Sequence, residues 1–383
     1  MRRLLAQSAA SQICYTIIRQ LVFLPAVYKT DEAVYVQVMI ILLASDILIN
    51  TMAASFTDKY TRDMQGVSNN NFLFQSYYSL SQILVFVTGL LAYVFLEDVI
   101  LSLLFTFYLH FYAKALFVQK YKMNEGILNA GVIDLTCRSL AILSTLAVVH
   151  SDIDFFGEAQ ILLFMLCVFQ YSALRIYQKL WGFNKLTIDF SLIKVSQFRG
   201  WMGFNSLFLT YILMAVIMRG EALLIGFFYN SAPAIFVYYS IISLLTYPIL
   251  LISGGPFTNY YASLGSKHVK GLLLAAVISG LAYSFFMAFF VSGIVVGLLY
   301  EAADIPPSSI LAVTVFFIVI AGVLRPLMIL TSDVLTLNVL LFLASAGFIA
   351  INFLKIIDYE YLFFISAVLK FVCVAGSVLK RES

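Results

Sequence analysis

Nine ionisable residues stand inside long apolar runs of this 383-residue chain: Arg19, Asp46, Lys114, Asp134, Arg138, Arg219, Glu221, Arg325 and Lys370. An ionisable group at bilayer depth is expensive when it faces lipid, so it normally faces a cavity or a partner. Six cations against three anions leave an intramembrane surplus equal to the whole formal net charge of +3. Cations confined in a low-dielectric space repel one another strongly. A visiting anion relieves that repulsion, and this is the chemistry that the pattern suggests.

The spacings narrow the roles. Asp134 and Arg138 are four apart and share one helix face. They read either as a neutralised pair that joins helices or as a proton-sensitive element beside a transport path. Arg19 lies mid-span and is followed by Pro25, which can bend a membrane helix without leaving backbone groups unsatisfied in lipid. Asp46 falls at a similar depth on the next run and is a candidate partner for Arg19. Arg219 and Glu221 are two apart and point different ways, so each needs its own partner. Arg325 precedes Pro326 near a helix end, and Lys114 is also near an end, so both can alternatively snorkel to the interface. Lys370 is mid-span in the last run, where snorkelling is hard unless that helix is peripheral.

No other chemistry competes. Cys14, Cys137, Cys167 and Cys373 lie singly in apolar runs, without the spacing of a zinc site or a redox pair. They read as small buried hydrophobes, and no metal or cofactor is expected. No phosphate-binding loop, zinc-protease motif or nucleophile elbow stands in a usable context.

Sixty-two per cent of the residues are hydrophobic and 11% are charged, and the mean hydropathy is +0.97. A soluble chain of this size cannot hide that much apolar surface. Composition therefore excludes a soluble enzyme, a nucleic-acid binder and a disordered scaffold. The apolar runs are unbroken rather than alternating, which predicts membrane helices of about 20 residues rather than a barrel. Twelve spans are expected, near 9–28, 33–56, 73–96, 99–119, 126–149, 157–177, 201–228, 232–254, 270–299, 307–331, 334–354 and 360–380. The basic start, Arg2-Arg3, lacks a cleavage site before the first run, which reads as a retained helix.

Loop charges set the orientation. With both termini in the cytoplasm, fifteen Lys and Arg fall on the inner side, and only Lys29 and Lys355 fall outside. The outer loops are acidic, as at Asp31-Glu32 and Glu97-Asp98, and none is long. The longest connection, around Gln178–Gly200, carries basic residues among Trp181, Phe183 and Phe190 and reads as an interfacial segment.

Residues 28–60 align without gaps onto 229–261, an offset of 201, with nine identities. Tyr28, Ala33, Val36, Ile40, Ile41, Leu43, Phe56, Thr57 and Tyr60 meet identical residues. Chance matching is high in apolar sequence, so the shared end, Phe56-Thr57-Asp58-Lys59-Tyr60 against Phe257-Thr258-Asn259-Tyr260-Tyr261, carries more weight. Both copies run in the same direction, which makes the repeat parallel, a transporter architecture. The expected fold is all-α, with an N-terminal six-helix lobe at 1–180, an interfacial linker at 181–200 and a C-terminal lobe at 201–383. The lobes would be related by a parallel pseudo-twofold with a central cavity between them.

Met218–Tyr261 resembles the seventh and eighth helices of bacterial polysaccharide flippases, in which a charged residue near the end of helix seven precedes an apolar stretch and a helix ending near proline. Residues 15–60 are similar to the matching start of the first half. Val34-Tyr35 and Val237-Tyr238 stand where that family commonly has Gly before Tyr. The group is the polysaccharide-transport branch of the multidrug/oligosaccharidyl-lipid/polysaccharide exporter superfamily. The resemblance implies a flippase that moves undecaprenyl-pyrophosphate-linked oligosaccharide, such as O-antigen or exopolysaccharide units, to the outer leaflet of the bacterial inner membrane by alternating access. It also implies that Arg19, Arg138, Arg219, Arg325, Lys114 and Lys370 line a cationic path. Asp46, Asp134 or Glu221 would couple an ion gradient. Expected partners are the lipid-linked cargo, membrane lipids, a polysaccharide polymerase and a chain-length regulator, with no nucleic acid. The rivals are a membrane polymerase or glycosyltransferase, which usually needs a large outer loop, a multidrug exporter of the same fold, and a membrane scaffold, against which the buried charges argue.

Overall fold

In lipid a backbone must satisfy its own hydrogen bonds, so an apolar chain without strand alternation has helices as its solution. The computed structural model describes residues 13–56, 71–96, 98–123, 130–149, 157–181, 186–189, 191, 203, 206–218, 220–229, 232–253, 269–291, 300, 308–331, 334–355 and 357–379. Among them the helices are α1 (Leu24–Thr30), α2 (Glu32–Ile49), α3 (Asn71–Leu96), α4 (Val99–Met123), α5 (Ala130–Val149) and α6 (Glu158–Trp181). They continue as α7 (Leu207–Met218), α8 (Glu221–Phe228), α9 (Ala232–Ser253), α10 (Val269–Phe286), α11 (Ser308–Thr331), α12 (Val334–Leu354) and α13 (Tyr359–Leu379). A π-helical turn, Ile18–Phe23, precedes α1, and two others, Asn50–Ala54 and Met287–Val291, extend α2 and α10.

Each of the twelve expected spans overlaps one of these helices, with α7 and α8 forming one bent pair and several helices running a few residues past the expected bounds. Seven helices are by themselves long and apolar enough to cross a membrane among the described residues, and the α7–α8 pair passes that test jointly. The chain is a multi-pass membrane protein. Its large outward apolar side chains fit that solvent: Leu90 and Phe353 are each 72% exposed. Hydroxyls within the helices return to the carbonyl one turn back, as in Ser45 to Ile41, Thr145 to Ala141 and Ser284 to Gly280. That bond satisfies a polar group without a partner helix.

The chain divides into two compact units: Met1–Ala26 with Ile40–Tyr211, and Val27–Met39 with Ile212–Ser383. In the first, α3 packs on α4, α4 on α6, and α5 on α6, while the turn before α1 packs on α5. The turn that extends α2 also lies on α4. Gly89 brings α3 close to α4, since a Cβ there would collide with the Thr106 side chain. Of the expected linker, Leu186–Asp189 is described, and it straps onto α3. Asp189 N–H donates to Ser79 Oγ at 3.0 Å, and the Gln75 amide donates to the Thr187 carbonyl. Phe74 and Tyr78 meet Phe117 edge-on in the core of this unit.

The second unit repeats the scheme six spans later. There α10 packs on α11, α11 on α13, α12 on α13, α8 on α12, and α9 on α11. These five pairs correspond to α3–α4, α4–α6, α5–α6, the α1 turn with α5, and the α2 turn with α4. Two halves that share a packing scheme as well as a sequence offset are the signature of a duplicated unit. Tyr28, Tyr35 and Tyr300 cluster edge-on in this unit, with centroids 5.3–6.5 Å apart.

Candidate functional site

The first unit gathers four of the expected charges around two tyrosines. Arg138 and Asp134, one turn apart on α5, form an ion pair at 2.9 Å. Gln170 of α6 donates its amide to the other oxygen of Asp134 at 2.6 Å. The Arg138 guanidinium lies 3.6 Å from the centre of the Tyr112 ring on α4, a desolvated cation–π contact. Arg19 pairs with Asp46 at 3.5 Å. Both pairs lie in the first unit, where Tyr108 and Tyr112 of α4 are also buried.

Local sequence explains this placement. Pro25 has no N–H to give to the carbonyl one turn back, which disfavours the regular ladder at that point. The widened turn Ile18–Phe23 lies immediately before it, and Leu24 N–H bonds the Arg19 carbonyl, five residues back. Asp134 and Arg138 are 6% and 8% exposed. A charge so deep is tolerated when paired and hydrogen-bonded, and removing one partner strands the other. Arg138 Nε and Gln170 Oε1 are buried without hydrogen-bond partners, so these two side chains retain one donor and one acceptor between them.

The second unit builds its charge pair at a break. α7 and α8 meet at 51°. Gly220 allows the approach, because a Cβ there would lie 2.9 Å from the Ala215 carbonyl and 3.2 Å from that of Val216. Glu221, the first residue of α8, is 2% exposed and sits where the helix dipole favours an anion. Its carboxylate pairs with the Lys370 ammonium of α13. Ser366, one turn before Lys370, donates toward Glu221 at 2.8 Å and lies 3.0 Å from the Ile217 carbonyl. Ser345 of α12 lies 3.4 Å from the Leu213 carbonyl. Hydroxyls from two neighbouring helices thus reach carbonyls at the end of α7.

Three of the six expected path cations, Arg19, Arg138 and Lys370, therefore stand against carboxylates, and these three pairs cancel. Lys370 is 5% exposed, so α13 presents it to the interior of its unit and not to a periphery. Lys114 is half-buried on α4, one turn after His110. Arg219 lies outside the described residues, as does the Arg325 side chain, although α11 carries that residue. No group of His, Cys, Asp and Glu could hold a metal among the described residues. Cys137, Cys167 and Cys373 are buried and Cys14 is exposed, all as free thiols.

Sequence reasoning did not single out Gln170, Tyr112 or Ser366. Gln170 had a signal, a lone amide in the apolar middle of α6. Ser366 had another, its four-residue spacing from Lys370. Nothing in the sequence separates Tyr112 from the other 22 tyrosines.

No protein-family profile matches the sequence, and no curated protein does at a significant level. Solved structures do match. A point mutant of the Vibrio cholerae MATE transporter VcmN is 14% identical, with a TM-score of 0.55, over 99% of this chain and 93% of that one. A MATE in complex with MaL6 is 14% identical, with a TM-score of 0.54, over 99% and 95%. A MATE in complex with MaD5 is 14% identical, with a TM-score of 0.51, over 99% and 96%. Along essentially its whole length, the chain has the fold of the MATE transporters.

Proposed function

We propose that the chain is a membrane exporter and that its cargo is an anionic, lipid-linked oligosaccharide carried from the inner to the outer leaflet. The observation that carries this reading is the closure of the two deeply buried carboxylates. Asp134 is engaged by Arg138 and by the Gln170 amide, and Glu221 by Lys370 and the Ser366 hydroxyl. An exporter of cationic drugs needs an acidic group open to its cargo, and these two are already occupied by donors. Arg138 Nε is an unspent donor, and two of the remaining expected cations, Arg219 and Arg325, have no anion of their own in the sequence scheme. A pyrophosphate or an acidic sugar supplies the missing acceptors.

Transport proceeds by alternating access. Protonation of Asp46, Asp134 or Glu221 would loosen one ion pair in each cycle and so couple the step to an ion gradient. The fold likeness is shared by a second reading, a multidrug exporter. In that case Asp46 would meet the cargo, because its side chain is the most exposed of the three, at 30%.

The test is a strain lacking the chain, probed for the sidedness of its lipid-linked repeat units. Their accumulation on the cytoplasmic leaflet supports flipping. Their normal appearance outside, unpolymerised, points to a polymerase. Unchanged polysaccharide together with lost resistance to cationic drugs establishes the second reading.

A further inference from the structure

The outer face of the first unit carries two cations that neither charge cluster uses. α4 and α6 run parallel in a fixed register: Gln160 bonds Asp98, the Cys167 thiol reaches the Leu104 carbonyl, and the Tyr171 ring lies 5.5 Å from that of Phe111. The sequence separations of these contacts are 62, 63 and 60, respectively. At that offset Lys114 and Arg175 are counterparts, each about one helical turn beyond the Phe111–Tyr171 contact. Arg175 lies over the Tyr171 ring at 5.5 Å and donates to Gln178 at 3.1 Å. Lys179 follows one turn later on the same face and is exposed.

An aromatic row crosses three helices just above these cations. Phe86 of α3 stacks near His110 at 5.8 Å, His110 meets Phe111 at 5.4 Å, and Phe111 meets Tyr171. Phe86, Phe107, Phe164 and Tyr171 are each more than 40% exposed, so the row faces lipid. Helix rise places Lys114 and Arg175 about 22–26 Å from the opposite helix ends, toward the far boundary of a hydrocarbon core of about 30 Å. The loop charges assign that boundary to the cytoplasmic leaflet.

Opposite charge is sparse among the described residues here: α3, α4 and α6 contain one carboxylate, Glu158, at the other end of α6, and Asp189 lies against α3 at Ser79. On α5, Asp134 is buried and taken by Arg138 and Gln170. Adjacent cations at one depth, with acyl-compatible rings above them, match a single phosphate headgroup and its chains.

We propose that Lys114 and Arg175, with Lys179 below them, form a binding site for the phosphate of an anionic phospholipid of the membrane, whose chains lie along Phe107, Phe111 and Tyr171. The site stands apart from the transport reading and is tested without transport.

The full chain is reconstituted in phosphatidylcholine nanodiscs, and association of spin-labelled phosphatidylglycerol is compared with that of spin-labelled phosphatidylcholine. The wild type should favour phosphatidylglycerol, with a loss of about fivefold in relative association for each of K114Q and R175Q. K114R and R175K should retain the preference, and K29Q, which removes one charge at the opposite surface, should leave it unchanged. Equal association of both lipids with the wild type overturns the site, as does an equal loss in K29Q. Displacement of the labelled lipid by undecaprenyl phosphate but not by unlabelled phosphatidylglycerol assigns the face to a lipid-linked cargo and overturns the phospholipid assignment. Displacement by inorganic phosphate alone overturns it in favour of a free-anion site. Native-like thermal unfolding of K114R and R175K guards against misfolded variants.

Discussion

Met39 and Ser240 touch, sulfur to hydroxyl at 3.9 Å, and they are 201 residues apart. That separation is the offset at which residues 28–60 align onto 229–261, so each residue contacts its own repeat mate. In a duplicated chain, equivalent positions meet only where the copies of one element cross each other at corresponding points. The contact therefore supports the alignment independently of the nine identities. Tyr35, one turn before Met39, hydrogen-bonds the same serine at 3.1 Å.

A cross-link between these positions should form and should stabilise the second unit. Met39 and Ser240 both belong to that unit, so a bridge between them ties α2 to α9 within it. In a background with Cys14, Cys137, Cys167 and Cys373 replaced, M39C/S240C treated with a short bifunctional thiol reagent should unfold later in detergent, and reduction of a cleavable reagent should reverse the gain. Failure of the cross-link to form in the folded chain would refute the contact.

Gly220→Ala tests whether the α7–α8 break requires glycine. The added methyl would stand 2.9 Å from a backbone carbonyl, which cannot swing away as a side-chain tip can. Overpacking of this kind costs about 1–3 kcal/mol. Thermal unfolding in detergent should show that loss, and a second change at Ala215 should not rescue it, since the clash is with backbone. An unaltered unfolding midpoint would mean that the break relaxes freely.

What was legible in the sequence follows from the range of the interactions. The Asp134–Arg138 spacing is local, so periodicity alone put the two side chains on one face. Asp46 was matched to Arg19 by depth, which hydropathy supplies because the bilayer imposes a common ruler on every span. Glu221 could not be matched to Lys370 that way, since the pairing depends on which helices of the second unit pack together. The π-helical turn at Arg19 was equally hidden: Pro25 announces a disturbance, but the register in which the backbone absorbs it is settled by packing against α5. The sidedness of the loops rests on residues that mostly lie outside the described ones, so it remains a statement about charge counts.

Asp98 should make the N-terminal end of α4 acid-sensitive. Its carboxylate accepts from Leu101 N–H at 3.0 Å and from the Gln160 amide at 2.7 Å, and these bonds, the Leu101 one foremost, hold its pKa below the usual value. A carboxyl depressed in the folded state stabilises above its unfolded pKa, and that contribution fades as pH falls through the folded value. The wild type should therefore unfold later than D98A at neutral pH, and the gap should close below about pH 4. A gap that is constant from neutral to acid pH would show that the charge contributes nothing.

Glu221 and Lys370 should be worth more as partners than either is alone. Replacing Lys370 with Met leaves a buried carboxylate facing only Ser366, and replacing Glu221 with Gln leaves a buried ammonium without its counter-charge. Breaking a buried pair on one side costs about 3–5 kcal/mol, whereas replacing both members with packed neutral groups is often neutral or better. In lipid that asymmetry should be at least as large, because no water can reach the stranded charge. Thermal unfolding of K370M, E221Q and E221Q/K370M in one detergent closes the cycle. Each single variant should fall well below the wild type, and the double variant should recover most of the loss. Additive losses would mean that the two side chains are held independently. A stable double variant that no longer exports, beside a stable and active wild type, would separate a role in coupling from a role in holding α8 against α13.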